Sequence, residues 1–311
     1  MDGDMQTTIA RRKFLKHGTA VPAMFTSAPL FADAENPPVR VDTHLHCFAG
    51  ANDHRFPYHE RAPYRPPKPA PPEHLIACMD GAGIQFAIVV HPEPYQDDHS
   101  YLEHCLEFGA GRLKGTCLFF ADRPGSIEKL PELVKRVPIV ATRVHAYAPG
   151  RLPPFGKPEL RSLWKMAGDL GIGVQIHFEP RYAPGFEPLI REFPDTRVII
   201  DHLGRPFQGT PKEHAVVIGW SRYSNTVMKL SSIPLQTKYP HRDIAPIIKR
   251  LVAEYGPDRL IYGGGFNAET SPESYRAAFA RAESFIADLS PDDRAKILGG
   301  NAAKLFGFAK P

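Results

Sequence analysis

The 311-residue sequence has few cysteines, no long apolar run and little net charge, and each shortage argues against a class of protein. Its four cysteines contain no C-x-x-C pair, which argues against a zinc knuckle or a thioredoxin-type redox site. We expect four free thiols at Cys47, Cys78, Cys105 and Cys117. No stretch approaches the roughly 18 unbroken apolar residues of a membrane span. The net charge of +4 includes no basic stripe, so nucleic-acid binding is not indicated.

The N-terminal segment has the order of parts found in a bacterial twin-arginine export signal. Arg11 and Arg12 precede an apolar pair and a weakly apolar stretch, and Ala32-Asp33-Ala34 fits a small-x-small cleavage site. We therefore predict that residues 1–34 are a signal peptide and that the mature protein is periplasmic. The alternative is a disordered basic tail on a cytoplasmic protein.

The remaining residues, 35–311, alternate short apolar runs with amphipathic stretches. Eight strand-like runs occur, including Phe86–Val90 and Arg259–Tyr262, and segments such as Glu159–Leu170 and Pro272–Leu289 have helical periodicity. A strand followed by a helix, repeated in this way, is typical of a parallel sheet closed into a barrel. The sequence thus predicts a single-domain α/β protein, a (β/α)8 TIM barrel, for which about 250 residues suffice.

Histidines follow these apolar runs, at the end of each strand where such barrels have their active sites. The first run ends in Asp42-Thr43-His44-Leu45-His46, and side chains two apart on a strand point to the same side. His44 and His46 are therefore expected to lie close enough to share one ion or one substrate. Two surface histidines are the alternative, which is weakened because later runs also end in histidine, at His91, His145, His177 and His202.

A proline-rich segment, residues 56–72, follows the first of these runs. Proline at this density excludes helix and strand. A long ordered loop directly after a histidine-bearing strand predicts a lid over the site, and Tyr64 lies within it.

Arginines near the strand ends indicate a small anionic substrate. Arg143 lies inside an apolar run, where a charge needs a partner, and Arg205 follows the sixth run. A planar guanidinium matches a carboxylate in two parallel hydrogen bonds. The alternative for each arginine is a surface salt bridge.

Four motifs, taken in order, resemble the amidohydrolase-2 family of metal-dependent hydrolases over about residues 40 to 308. They are the D-x-H-x-H cluster, Gln175-Ile176-His177, the run Ile200–Pro206 and the closing run Ile297–Phe306. The predicted lid, with Arg61, Tyr64 and a Pro-Pro pair, resembles the branch that contains 2-pyrone-4,6-dicarboxylate lactonase.

The resemblance implies a hydrolase that opens a lactone or similar ester of a small carboxylated ring. His44, His46 and His177 match residues that hold one divalent ion, zinc or manganese, or that polarise the carbonyl without a metal. His202 matches the histidine that contacts the water or the scissile carbonyl, and is predicted to be catalytic. The predicted substrate-binding residues are Tyr64, His91, Arg143, His145, Arg205 and Asn267.

One position departs from the family pattern. Relatives usually have an aspartate at the end of strand eight, as in W-G-S-D-W-P, and Gly265 stands there in this chain. Glu269 is the nearest carboxylate in sequence, and we predict it as the catalytic base, against the alternative of a surface glutamate. Two further functions therefore stay open: decarboxylation or hydration of aromatic-derived acids, and a barrel that binds a small acid without turnover. The sequence predicts no oligomeric state.

Overall fold

The chain forms a (β/α)8 barrel, as predicted. The computed structural model describes residues 38–147 and 150–309, and residues from Pro38 onward form one compact unit. The predicted signal peptide, residues 1–34, lies outside the described residues. Eight parallel strands pair in chain order. They are β1 Val41–Leu45, β2 Phe86–Val90, β3 Leu113–Leu118, β4 Ile139–Ala146, β5 Gly173–Phe178, β6 Val198–Ile200, β7 Thr226–Ser231 and β8 Leu260–Gly263.

Helices alternate with these strands along the chain. They are α1 Pro72–Ala82, α2 Ser100–Phe108, α3 Leu130–Arg136, α4 Pro158–Asp169, α5 Ala183–Glu192, α6 Pro211–Gly219, α7 Ala245–Tyr255, α8 Pro272–Ser284, α9 Pro291–Ala295 and α10 Asn301–Phe306. Several begin with proline, as α1 and α4 do, because the first turn of a helix needs no N–H from that residue. No helix in the part of the chain that the structure describes is long and apolar enough to cross a membrane.

Alternate residues of the strands face two apolar layers. Ala87 and Val89 of β2 pack in the larger cluster with the helices, whereas Ile88 and Val90 belong to a second cluster inside the barrel. Phe306 of α10 joins this inner cluster, so the C-terminal helix packs against the barrel. All four cysteines are buried free thiols, as predicted.

Side-chain hydrogen bonds join β1 to β8 and help to close the barrel. Thr43 Oγ1 donates to the Tyr262 carbonyl at 2.6 Å, and the Gly264 amide donates to Asp42 Oδ1 at 2.8 Å. The hydroxyl of Tyr275 on α8 donates to the other Asp42 oxygen at 2.5 Å. Asp42 of the D-x-H-x-H cluster is therefore a structural residue at the seam between first and last strands.

The proline-rich segment has irregular structure from residue 56 to 71, and α1 begins at Pro72. The segment is held by its own contacts and by the β2 loop: Tyr58 donates to the Pro66 carbonyl at 2.8 Å, and the His59 amide donates to the Pro94 carbonyl at 2.8 Å. This arrangement brings Tyr64 to the mouth of the barrel.

Candidate active site

Five histidines meet at the carboxyl ends of the strands. His44 lies 4.3 Å from His202 and 5.2 Å from His46, measured between ring centroids. His177 lies 5.1 Å from His202 and 5.4 Å from His145. The placement of barrel active sites at the ends of the strands, here called the strand-end rule, thus predicted correctly that histidines far apart in sequence would form one cluster.

A buried carboxylate, Asp201, lies beneath this cluster at the end of β6. Its Oδ2 accepts from Arg143 Nε at 3.1 Å, from Arg143 Nη2 at 2.9 Å and from Gln175 Nε2 at 3.0 Å. Its Oδ1 lies 3.2 Å from His44 Nδ1 and 3.5 Å from Lys229 Nζ. Burial alone would raise the pKa of Asp201, but His44, Lys229 and Arg143 outweigh it and hold this pKa well below its usual range. Asp201 is therefore ionised, and Arg143 is engaged with it.

Lys229 of β7 is fully buried and belongs to the same network. Its ammonium donates to the Thr43 carbonyl at 2.7 Å and lies 3.4 Å from His44 Nδ1. Burial lowers the pKa of Lys229 to about 8, although the charge of Asp201 opposes this shift. Lys229 thus fixes β1 and Asp201 relative to each other.

Two histidines of the cluster are oriented by hydrogen bonds through Nδ1. His46 Nδ1 lies 2.7 Å from the Val90 carbonyl oxygen, to which it donates, so its Nε2 carries a lone pair. His202 Nδ1 lies 3.0 Å from Ser231 Oγ. Burial lowers the pKa of His46 and of His202 to about 3, so both rings are neutral near pH 7. Neutral imidazoles can accept a hydrogen bond from water or ligate a cation.

The turn after β6 is left-handed over four residues. The φ angles are 55° at His202, 59° at Leu203, 67° at Gly204 and 54° at Arg205. Left-handed backbone costs a non-glycine residue roughly 1–2 kcal/mol, and such strain is concentrated at functional sites. The turn buries Asp201 and turns His202 and Arg205 toward the mouth of the barrel.

A cavity of about 310 Å³, here called the histidine cavity, opens above these groups. It is lined by three of the histidines and by predicted substrate-binding residues: His46, His177, His202, Tyr64, Arg143 and Arg205. Arg205 Nη1 donates to His177 Nε2 at 2.8 Å. His177 must therefore carry its proton on Nδ1, and this buried N–H has no hydrogen-bond partner. It is an unpaired donor of a residue that lines the cavity.

Sequence reasoning missed a second polar group on the wall of this cavity. Glu93 accepts hydrogen bonds from the Tyr147 hydroxyl and, at 3.1 Å, from Arg151 Nη1. Its other oxygen lies 3.3 Å from His145 Nδ1. Burial opposes ionisation of Glu93, but His145, Tyr147 and Arg151 together lower its pKa to about 2. Glu93 follows β2 and Tyr147 follows β4, so the strand-end rule applied to every polar residue would have found both.

Three of the cluster residues could hold a metal ion. His44, Asp201 and His202 each offer one ligand atom, and these atoms lie within 4.8 Å of one another. His44 Nε2 is buried and has no hydrogen-bond partner, which a bound ion would supply. Two imidazoles and a carboxylate are a donor set that zinc accepts. This set shares only His44 with the predicted ligands, because His177 Nε2 is occupied by Arg205 and His46 lies outside the set.

The structure places three of the predicted residues outside both the histidine cluster and the histidine cavity. His91 is fully buried, with Nε2 2.9 Å from the Gln96 carbonyl oxygen. Asn267 is exposed, and its Oδ1 accepts from the Glu269 amide at 2.8 Å. The Glu269 side chain is 71% exposed and pairs with Lys68 at 2.6 Å. These contacts are structural, and the interpretation of Glu269 as the catalytic base does not fit its position on the surface.

The glycine run after β8 explains why no carboxylate extends from this strand toward the histidines. A Cβ atom at Gly263 would lie 2.8 Å from the Cβ of His44, and one at Gly264 would lie 2.7 Å from Asp42 Oδ2. Neither position has room for a side chain. Gly265 is exposed with φ of 86°, and a Cβ there would contact nothing within 4 Å. An aspartate at position 265 would have to adopt a strained backbone.

Replacing Glu269 with glutamine is expected to leave kcat/KM within about twofold of the wild-type value, because exposed ion pairs contribute little. The matched control is Glu93→Gln, which leaves Arg151 without its carboxylate and should lower kcat/KM by at least roughly tenfold. Steady-state kinetics of both variants with a lactone substrate measure these changes in kcat/KM. A large loss in Glu269→Gln together with a silent Glu93→Gln would show that the surface glutamate is the functional one.

Comparison with known proteins agrees with this geometry. The sequence model of the amidohydrolase family matches residues 41–308. The chain is 28% identical over 289 residues to the 4-sulfomuconolactone hydrolase of Rhizobium radiobacter, covering 86% of this chain and 89% of that protein. It is 26% identical over 288 residues to the L-fucono-1,5-lactonase of Burkholderia ambifaria, covering 88% and 97%. Its fold is similar to that of a probable 2-pyrone-4,6-dicarboxylic acid hydrolase from Acinetobacter baumannii crystallised with citric acid, with a TM-score of 0.71 and 21% identity over 86% of this chain and 99% of that one.

Proposed function

Because the chain belongs to the amidohydrolase family, we propose that it is an enzyme that hydrolyses the lactone ring of a small carboxylated compound. The observation that carries this proposal is the histidine cavity, where neutral imidazoles and a guanidinium face the same space. Two relatives named as lactone-opening enzymes support it. Export to the periplasm, from the twin-arginine pattern, remains part of the proposal.

The charges around the cavity favour an anionic substrate. Arg143, Arg151 and Arg205 line it, against the carboxylates of Glu93 and Glu179. Arg143 is already engaged with buried Asp201, so Arg205 at the mouth is the residue we assign to the substrate carboxylate. A guanidinium can bind both carboxylate oxygens at once.

The same residues can carry out hydrolysis of the ring ester. The His202 ring, held by Ser231, orients a water molecule toward the lactone carbonyl carbon. As the water oxygen bonds to that carbon, negative charge develops on the carbonyl oxygen, and the free N–H of His177 donates to it. The neutral His202 ring takes the proton that the water loses, the ring C–O bond breaks, the leaving oxygen receives that proton, and the product is a hydroxy acid.

A divalent ion fits this arrangement. His44, Asp201 and His202 would hold it, with His202 Nε2 on the ion instead of on the water, and the ion would act as a Lewis acid toward a carbonyl oxygen. Elemental analysis of the purified protein identifies the ion.

Arg205→Met is expected to lower kcat/KM for a lactone carboxylate by roughly 10- to 100-fold, because a buried charged hydrogen bond to substrate is lost. The effect should fall on KM, through the lost carboxylate contact, and on kcat, because Arg205 also fixes the His177 tautomer. The matched control is the methyl ester of the same lactone, which lacks the negative charge, so its kcat/KM should fall by a smaller factor that reflects only the loss through His177. Arg205→Lys should recover part of the loss, since it restores the charge without the bidentate geometry.

Assays of the wild-type enzyme with lactone carboxylates and with aromatic acids test the proposed function itself. If the enzyme hydrolyses no lactone but releases carbon dioxide from an aromatic acid, its function is decarboxylation and the proposal is wrong. Saturable binding without any turnover would replace it with a non-catalytic binding protein.

A further inference from the structure

A second cavity, here called the side cavity, adjoins the histidine cavity. Its volume is about 210 Å³. Glu93, Arg143 and Arg151 line both cavities. A molecule bound at the histidines could therefore extend past these residues into the second space without any change of fold.

Four buried apolar side chains form one part of the side-cavity wall, beside Arg143 and His145 of β4. Leu118 ends β3, Val144 lies in β4, and Leu160 and Leu163 project from α4; all four are at most 5% exposed. These positions are on rigid elements and not on flexible loops. An apolar cavity of roughly 150 Å³ holds one benzene molecule, so this volume suits a phenyl ring or a short alkyl chain.

The Glu93 carboxylate and the Arg123 guanidinium at the side cavity already have partners within the protein. The Glu93 carboxylate binds Arg151 at 3.1 Å, and Arg123 donates to Gln96 Oε1 at 2.8 Å. The Arg123 guanidinium also lies 3.5 Å from the centre of the Phe120 ring. An apolar occupant would leave these pairs intact, whereas a charged one would have to compete with them.

We propose that the side cavity binds a short apolar substituent of the substrate while the carboxylated lactone ring lies at the histidines. This inference rests on the proposed function and makes it more specific. The substrate class is a lactone carboxylate with an alkyl or aryl arm, and Leu160 and Leu163 of α4 determine the length of arm that fits.

The test is a series of five-membered lactone carboxylates that carry a hydrogen, methyl, propyl or phenyl substituent. In the wild type, kcat/KM should rise roughly fourfold for each methylene group that becomes buried. Leu163→Phe fills the cavity and should flatten this dependence on length. The matched control is Leu189→Phe on α5, a buried leucine outside both cavities, which should keep the wild-type dependence. Leu163→Ala, which enlarges the space, should move the preference from propyl toward phenyl.

Affinity for the ring-opened hydroxy acids, measured by isothermal titration calorimetry, separates this inference from the proposed function. Hydrolysis of every lactone at one rate, with equal product affinities, overturns the assignment of the side cavity and leaves lactone hydrolysis standing. Product affinities that rise with arm length in wild type but not in Leu163→Phe support the side cavity even if no lactone is hydrolysed. In that case the proposed function is the part that fails.

Discussion

Replacing Asp201 with asparagine is expected to lower the free energy of unfolding by about 3–5 kcal/mol and to remove most activity. The change leaves Arg143 and Lys229 buried without their shared counter-charge. It also removes the carboxylate beside His44 Nδ1, so this ring loses a fixed orientation. Urea denaturation measures the first effect, and steady-state kinetics with the best lactone carboxylate measures the second.

The neighbouring buried aspartate provides the matched control. Asp42 accepts from two backbone amides, those of His44 and Gly264, and from the Tyr275 hydroxyl. Burial raises the pKa of Asp42, whereas the charges around Asp201 lower that of Asp201. Asparagine keeps a carbonyl oxygen for the amides, so Asp42→Asn should cost only about 1 kcal/mol. Equal losses in the two variants would show that the charges around Asp201 contribute nothing special.

The barrel could be predicted from sequence because a parallel strand buried on both faces is a continuous apolar run. The predicted run Phe86–Val90 has the same first and last residues as strand β2. Four short helices, α3, α6, α9 and α10, were not predicted. Helix α3 has only seven residues, too few for a clear period, although α6 carries a recognisable capping box between Thr210 and Glu213.

The histidine cluster could be predicted for a related reason, since all strand ends of a barrel meet at one face. The hydrogen-bond partner of each polar group could not be predicted, because the partner depends on strand register and on the turns between strands and helices. Arg143 meets Asp201 across 58 positions of sequence, and a left-handed turn sets the direction of Arg205. The exposed position of Glu269 could not be predicted either, because the sequence does not show that its loop stays at the surface with Lys68.

Acidification is expected to destabilise the fold steeply, because it contains several neutral buried histidines. Burial lowers the pKa of His44, His91 and His99 in the folded state, and that of the partly buried His46, His177 and His202 as well. An unfolded histidine has a pKa of about 6.5, so below this pH the unfolded chain binds protons that the folded chain does not. Stability is therefore complete above about pH 7 and falls as the pH drops through 6.5 toward the folded pKa values.

Each such histidine lowers the free energy of unfolding by about 1.4 kcal/mol as the pH falls from about 7.5 to about 5.5. The three fully buried rings account for about 4 kcal/mol, and the partly buried ones raise the total toward about 8 kcal/mol. This approaches the whole stability of a typical domain, about 5–15 kcal/mol, so acid unfolding should begin well above the pH at which carboxylates titrate. Urea denaturation across this range measures the loss, and a total below about 2 kcal/mol would contradict the neutral cluster.

A single substitution away from the histidine cavity distinguishes this cause from general acid sensitivity. His91 lies outside the cavity, and burial lowers its pKa to about 4. Glutamine can keep the hydrogen bond to the Gln96 carbonyl, so His91→Gln should fold. Because glutamine binds no proton in the unfolded chain, the variant should lose about 1.4 kcal/mol less than wild type over the same pH interval. The matched control is His54→Gln at an exposed position, which removes no buried ring and should leave the pH dependence of stability as in the wild type.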